Sequence, residues 1–218
     1  MSSTRTRALR ASATLALPTA ALGVTFGVLA APVLGTLPAI VMSAVVWSGG
    51  AQFGALTVLS GGGGVALAAG TGLLANARFV PMGIGFAPSL PGSPLRRALA
   101  GMLVVDASFA LAHQGEGRFD PAVVVWSAPL QYLGWVLGTV AGALGATTLA
   151  SPTSLGLDAL FPVFYVGLLV PELRAAGRPL AVAVAAGVVA LVLAPVTPEG
   201  VPVLAAAATA LLGLRGSA

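Results

Sequence analysis

A few polar side chains stand inside long apolar runs of this sequence, and their types could bind or move a charged solute. Amides and a guanidinium donate hydrogen bonds to a carboxylate, and a carboxyl group can carry a proton. In a membrane-like interior such groups are costly, so they usually face a partner or a wet cavity. The residues are Gln52, Asn76, Arg78, Asp106, Asp158 and His113.

The segment LLANARFVPMG, residues 73–83, places an amide, a guanidinium and a proline in consecutive helical turns. Pro81 has no N–H to donate to the carbonyl of Ala77, and its ring collides with the same carbonyl. We therefore predict a helix break around Phe79 and Val80. The backbone groups that a break frees are tolerated only against protein or water.

Asn76 and Arg78 would line that wet region. Arg78 would either hold a substrate carboxylate with two parallel hydrogen bonds or pair with an acid such as Asp106, unless it only extends to the lipid headgroups. A carboxyl group taken out of water keeps its proton to higher pH, so Asp106 could instead couple transport to a proton gradient. His113 is typical of a span boundary, and Asp158 is typical of a helix cap.

The segment WSGGAQFG, residues 47–54, sets two adjacent glycines beside an amide. Paired glycines loosen a helix, and an unwound helix offers free N–H and carbonyl groups to the two charged ends of a small zwitterion. Gly49, Gly50 and Gln52 are therefore candidates for a binding site. The alternative is that the glycines admit a neighbouring helix and Gln52 bonds across it.

The composition indicates the solvent around these residues. Of 218 residues, 57% are hydrophobic and 7% are charged, whereas soluble proteins carry roughly 25% charged residues. No charged residue occurs between Arg10 and Arg78. The ten basic residues are scattered arginines without a basic aromatic-rich face, so no nucleic-acid partner is expected. The absence of cysteine excludes disulfides and thiolate metal sites.

We predict an all-α, polytopic membrane bundle of about seven or eight helices, because the runs lack the two-residue alternation of barrel strands. The apolar runs place spans near 13–31, 38–59, 64–87, 98–113, 121–148, 157–173, 179–195 and 201–214. We expect a cytoplasmic tail at 1–12, a transmembrane domain at 13–214 with halves near 13–113 and 121–214, and a C-terminal tail at 215–218.

Two sequence features bear on orientation and internal symmetry. Arginines near the N-terminus place that end in the cytoplasm, but in an eight-span count Arg96 and Arg97 would face outward. This disagreement requires an early segment that is re-entrant or does not fully cross. The spacing of Pro18, Gly23 and Gly27 recurs in a later set, which indicates a duplicated half. That second set is Pro129, Gly134 and Gly138.

Four motifs in order resemble the AzlC family of branched-chain amino acid exporters, over about residues 13–214. They are GGAQFGAL, LLANARFVPMGIGFAPSLPGSPLRRAL, VDASFAL and LGLDALFPVFYVGLLVPELR. Two departures concern the candidate residues. The family often has histidine where this chain has Phe79, and glutamate where it has Ala107. These losses bear on substrate choice and the proton route, which Asp106 would have to serve alone.

The resemblance implies a secondary active transporter that is driven by an ion gradient. It would export valine, leucine and isoleucine and, as in some members, methionine or analogues. It also implies a small AzlD-type membrane partner and a bacterial cytoplasmic membrane location. On this hypothesis Gly49, Gly50, Gln52, Asn76 and Arg78 bind the substrate, and Asp106 couples protons.

No enzyme activity or cofactor is expected. The chain lacks a Gly-x-Ser nucleophile motif and HExxH, and it has a single histidine. The alternatives are a non-transporting structural subunit or a channel.

Overall fold

The structure is a computed structural model. It describes residues 2–115, 117–146, 163, 166–167, 169–170, 174, 178–197, 201–202, 205–206 and 208–209. The predicted span 201–214 lies partly outside these residues, the predicted span 157–173 lies largely outside them, and Asp158 lies outside them.

The described chain is built from helices, which confirms the all-α class. They are α1 (Ser2–Leu34), α2 (Thr36–Val46), α3 (Gly49–Ser60), α4 (Val65–Asn76), α5 (Phe79–Phe86), α6 (Pro94–Gly101), α7 (Asp106–Ala112), α8 (Pro121–Gly145) and α9 (Arg178–Leu193). Three described segments are long and apolar enough to cross a membrane. They are Ala8–Leu34, Val65–Ser89 and Pro121–Gly145.

The chain forms two compact units that alternate along the sequence. Unit 1 is taken from Met1–Gly49 and Phe79–Pro162, and unit 2 from Gly50–Arg78 and Val163–Ala218. The predicted halves at 13–113 and 121–214 stay a prediction.

The core of unit 1 is the pair α1 and α8, which pack backbone against backbone. Glycines of each helix lie on the other: Gly23 and Gly27 of α1, and Gly138 and Gly142 of α8. A Cβ on Gly27 would lie 2.6 Å from the backbone nitrogen of Ala143, and one on Gly138 would meet the carbonyl oxygen of Ala20. Residues further along α1 meet residues further along α8, so the two helices are parallel.

Small residues explain this close approach. Within lipid no hydrophobic effect drives helices together, so association depends on close packing and on polar contacts between helices. The Ser12 hydroxyl adds such a contact by donating a 2.8 Å hydrogen bond to the carbonyl of Ser127. Leucines on α8 outside this contact are exposed, as expected of a lipid-facing surface: Leu133, Leu137 and Leu144.

Helix α2 lies antiparallel to α8 and stops halfway along it. Ser43 and Thr139 share a 2.8 Å hydrogen bond between their hydroxyls, and the hydroxyl of Tyr132 donates to the carbonyl of Ala44 at 2.8 Å. Trp47, which ends the helix, adopts left-handed backbone angles (φ 38°, ψ 47°) and packs edge-on against Tyr132. Because Tyr132 is near the middle of the 25-residue α8, this break lies level with the middle of that helix.

Two predicted spans are therefore wrong as continuous helices. The run 38–59 is divided at Trp47 and Ser48 into α2 and α3, directly before the paired glycines. The run 98–113 is divided by residues 102–105 into α6 and α7, which are eight and seven residues long. Hydropathy does not detect the second break, because residues 102–105 are as apolar as their neighbours.

One apolar cluster gathers the beginnings of α1 and α8 with the end of α5. Ala8, Phe86 and Val123 belong to it, and the rings of Phe86 and Phe119 are 5.5 Å apart. The end of α5, at Phe86, therefore lies at the same end of unit 1 as the start of α1.

The arginines of unit 1 collect at this end. Arg97, on α6, donates a 2.8 Å hydrogen bond to the carbonyl of Ala87, directly after α5. Arg10 lies near the start of α1, and Arg118 directly precedes α8. Arg96 and Arg97 thus share an end with Arg10 and Arg118, as the positive-inside rule requires. This packing conflicts with three full crossings before Arg96, and it agrees with the expectation that an early segment is re-entrant or does not fully cross.

Candidate functional site

Most of the candidate residues lie on the helical hairpin of α3 and α4 in unit 2. Four glycines, Gly61–Gly64, connect the two helices, and Gly62 has φ +80°, a conformation that glycine adopts without strain. Gly72 of α4 packs near Ala51 of α3, since a Cβ on Gly72 would lie 3.4 Å from the carbonyl oxygen of Ala51. The start of α3 therefore lies beside the second half of α4.

At the open end of this hairpin, the guanidinium of Arg78 lies directly on Gly50. A Cβ on Gly50 would be 2.6 Å from Nη1, 3.1 Å from Nη2 and 3.2 Å from Cζ of Arg78. Any residue larger than glycine would therefore displace the guanidinium. Arg78 itself is half-buried, and its Nε is buried. This contact confirms neither role that the sequence suggested for Arg78, but it fixes where the charge lies.

The helix break predicted from Pro81 is present, although it lies slightly earlier in the chain. α4 ends at Asn76, Ala77 and Arg78 form a turn, and α5 starts at Phe79. Phe79 and Val80 are helical, so the predicted position was wrong by about two residues. Pro81 is the third residue of α5, where the missing N–H has no carbonyl to reach within the helix.

Gln52 follows Gly50 by two residues in α3, and Asn76 precedes Arg78 by two residues at the end of α4. Gln52 lies in the first turn of α3, with 0% of its surface exposed, and its Oε1 is buried. Asn76 is the last residue of α4 and is half-buried. The structure thus brings Gly50, Gln52, Asn76 and Arg78 into one hairpin.

The other two candidates, Gly49 and Asp106, belong to unit 1. We predicted Asp106 inside a continuous span, but it is the first residue of α7. The hydroxyl of Ser108 caps this end by accepting a 2.9 Å hydrogen bond from the N–H of Val105. The end of α7 lies beside the start of α8, since the N–H of Asp120 donates to the carbonyl of Ala112. His113 directly follows α7, as expected of a boundary residue.

Gln131, in the middle of α8, is a buried amide that was not among the residues predicted from the sequence. Its side chain is 1% exposed, and within the described residues its Nε2 has no hydrogen-bond partner. It directly precedes Tyr132, which bonds to the end of α2. The criterion that selected Gln52, an amide within an apolar run, would also have selected Gln131.

The hairpin end is suited to an anion. The first N–H groups of a helix have no partner within that helix, and they carry the positive end of its dipole. At Gly50 no side chain separates the guanidinium of Arg78 from the backbone of the first turn of α3. A guanidinium can hold a carboxylate with two parallel hydrogen bonds, so a carboxylate suits this end of the hairpin. Among the described residues, no group of three His, Cys, Asp or Glu could hold a metal ion.

Comparison with protein families matches residues 14–149 to a family described as AzlC protein. Neither curated proteins nor solved structures gave a significant match. The matched region includes most of α1, all of α2 to α8 and all six candidate binding and coupling residues, and it covers more than half of the chain. The resemblance is thereby confirmed over residues 14–149, which contain three of the four motifs, and the chain belongs to the AzlC family.

Proposed function

We propose that this protein is a secondary active transporter that exports branched-chain amino acids across the bacterial cytoplasmic membrane. The AzlC family is associated with branched-chain amino acid transport, which supports the substrate class. Export, an ion gradient as the driving force and a small AzlD-type partner follow from the resemblance and belong to this proposal.

The observation that carries the proposal is the guanidinium of Arg78 on Gly50 at the start of α3. A free amino acid always presents a carboxylate, whatever its side chain. A site formed by a helix N-terminus and an arginine would bind that constant group, and Gln52 and Asn76 would add hydrogen bonds. Apolar surroundings suit an aliphatic side chain, because each buried methylene contributes about 0.8 kcal/mol.

Asp106 is proposed as the proton-coupling residue. Its half-buried position at the start of α7 leaves it within reach of exchange with water, which a coupling residue needs. The neighbouring residue that often carries a glutamate in the family is Ala107 here, and it is buried. The coupling function would therefore rest on one carboxylate.

Counterflow in proteoliposomes tests the proposal. Vesicles that contain the chain, with and without its small partner, are loaded with unlabelled leucine, and entry of labelled leucine, valine and methionine is measured with and without a pH gradient. We expect saturable exchange. Arg78→Ala should reduce it roughly 10- to 100-fold, because a hydrogen-bonded charge contributes about 1.5–3 kcal/mol.

Arg118→Ala is the matched control, because Arg118 is exposed in the turn before α8. It should exchange like the wild type. Flux that neither saturates nor exchanges would indicate a channel. A chain that binds the partner but shows no flux would indicate a structural subunit. Wild-type exchange by Arg78→Ala, at equal abundance, would remove Arg78 from the site.

A further inference from the structure

Helix α6 has its apolar side turned away from the protein. Leu95, Leu99 and Met102 are spaced four and three residues apart, so they form one stripe. Their side chains are 69%, 57% and 73% exposed. This is the reverse of a helix on a water-soluble protein, which turns its apolar stripe towards the core.

The opposite side of α6 faces the rest of unit 1, although the residues from Pro94 to Leu99 are all exposed. Arg97 lies on this side, and its guanidinium donates to the carbonyl of Ala87. Ala100 and Gly101 are also on this side and are half-buried, while the following Val104 is buried in the apolar cluster. The outward direction of the leucine stripe is therefore set by contacts on the other side of the helix.

The length and location of α6 restrict what can cover this stripe. Eight residues extend about 12 Å, far less than the ~30 Å of a bilayer core. The helix stands at the end of unit 1 where α1 and α8 begin and where the arginines collect. Such an end lies at the boundary between acyl chains and headgroups on the cytoplasmic side. Arg96, on the edge of the stripe, is exposed there.

We propose that α6 is an interfacial helix that binds the anionic phospholipids of the cytoplasmic leaflet. The stripe of Leu95, Leu99 and Met102 enters the outer part of the acyl layer, and Arg96 binds a lipid phosphate. The charge is complementary, because this leaflet is negatively charged and attracts basic residues next to a membrane span. This inference does not rest on the proposed transport function.

The sequence offers a direct test, because it contains no cysteine. Single cysteines at positions 95, 99 and 102 of the full chain carry a spin label, in nanodiscs of phosphatidylcholine with or without an equal part of phosphatidylglycerol. Collision with oxygen reports acyl chains, and collision with a nickel chelate reports water. Leu137→Cys, on the exposed side of α8, is the lipid control, and Gln114→Cys, in the exposed turn before α8, is the water control.

We expect the three labels to give an oxygen-to-nickel collision ratio several-fold above that at Gln114 but below that at Leu137, because the stripe enters only the outer part of the acyl layer. Phosphatidylglycerol should raise the ratio further. Arg96→Gln should remove that rise, and Arg118→Gln should leave it. Labels that resemble Gln114 would place the stripe in water and overturn the proposal. Labels shielded from both reagents would show protein covering the stripe, which also overturns it. A rise that persists in Arg96→Gln would overturn the assignment of the lipid phosphate to Arg96.

Discussion

Unit 1 and the hairpin of unit 2 both depend on glycines. They differ in the group that occupies the position where the glycine's Cβ would be. In unit 1, Gly138 lies on the backbone of Ala20, so glycine allows two helices to touch. In the hairpin, Gly50 lies on the guanidinium of Arg78, so glycine allows a charged side chain to reach a helix end. The first arrangement is typical of a rigid structural contact, and the second of a binding site.

Glycine spacing in a membrane protein does not by itself show whether the glycines serve helix packing or a binding site. GVTFG, at residues 23–27, and the pair Gly49 and Gly50 look alike as sequence, since both could serve helix packing. The partner atom distinguishes them. Substitutions in unit 1 should therefore affect stability, and substitutions in the hairpin should affect transport.

The largest expected effect is that of Gly138→Ala on stability. The added methyl group would collide with the carbonyl of Ala20, and overpacking of this kind costs about 1–3 kcal/mol. The melting temperature in detergent should fall clearly below that of Gly85→Ala, whose Cβ meets open space in α5. Equal melting temperatures would contradict the parallel contact between α1 and α8.

Gly50→Ala should reduce transport and leave stability nearly unchanged. The methyl group would displace the guanidinium of Arg78 and lower exchange about tenfold, which corresponds to about 1.4 kcal/mol. Gly70→Ala is the matched control in the same hairpin, because its Cβ meets nothing within 4 Å. If both variants exchange at the same rate, the Gly50 contact has no function in transport and the comparison fails.

Tyr132→Phe tests whether the break after α2 serves the stability of unit 1 or transport. The variant keeps the ring that packs on Trp47 but loses the hydrogen bond to the carbonyl of Ala44. Loss of that bond should lower the free energy of unfolding by about 1 kcal/mol. Chemical denaturation at fixed lipid content measures it. A large loss of transport at unchanged stability would instead place this break in the transport pathway.

The smallest expected effect is that of Gln131→Met, which should raise stability. It removes a buried amide whose Nε2 has no partner among the described residues, but it also removes the amide oxygen, so a net gain below about 1 kcal/mol is expected. Thermal unfolding should show a modest increase, while exchange stays at the wild-type level. In contrast, Gln52→Met in the hairpin should lower exchange. A destabilised Gln131→Met variant would show that this amide is satisfied by water or a solute.

The sequence predicted elements whose cause is local. The proline at position 81 indicated a break within two residues of the observed one, and hydropathy indicated all three long apolar segments. It did not predict the division of 98–113, because Leu103 and Val104 are ordinary span residues whose turn is set by packing on α8 and α5. Likewise, the contact of Arg78 with Gly50 depends on how the hairpin pairs α3 with α4, which no local pattern records.

The parallel contact between α1 and α8 also constrains biosynthesis. Ser12 and its partner Ser127 are 115 residues apart, and at roughly 5–20 residues per second the ribosome needs about 6–23 s to make that interval. During this time the glycine side of α1 has no α8 to cover it. Lipid or the insertion machinery must shield it until α8, the last helix of the family-matched region, packs against it.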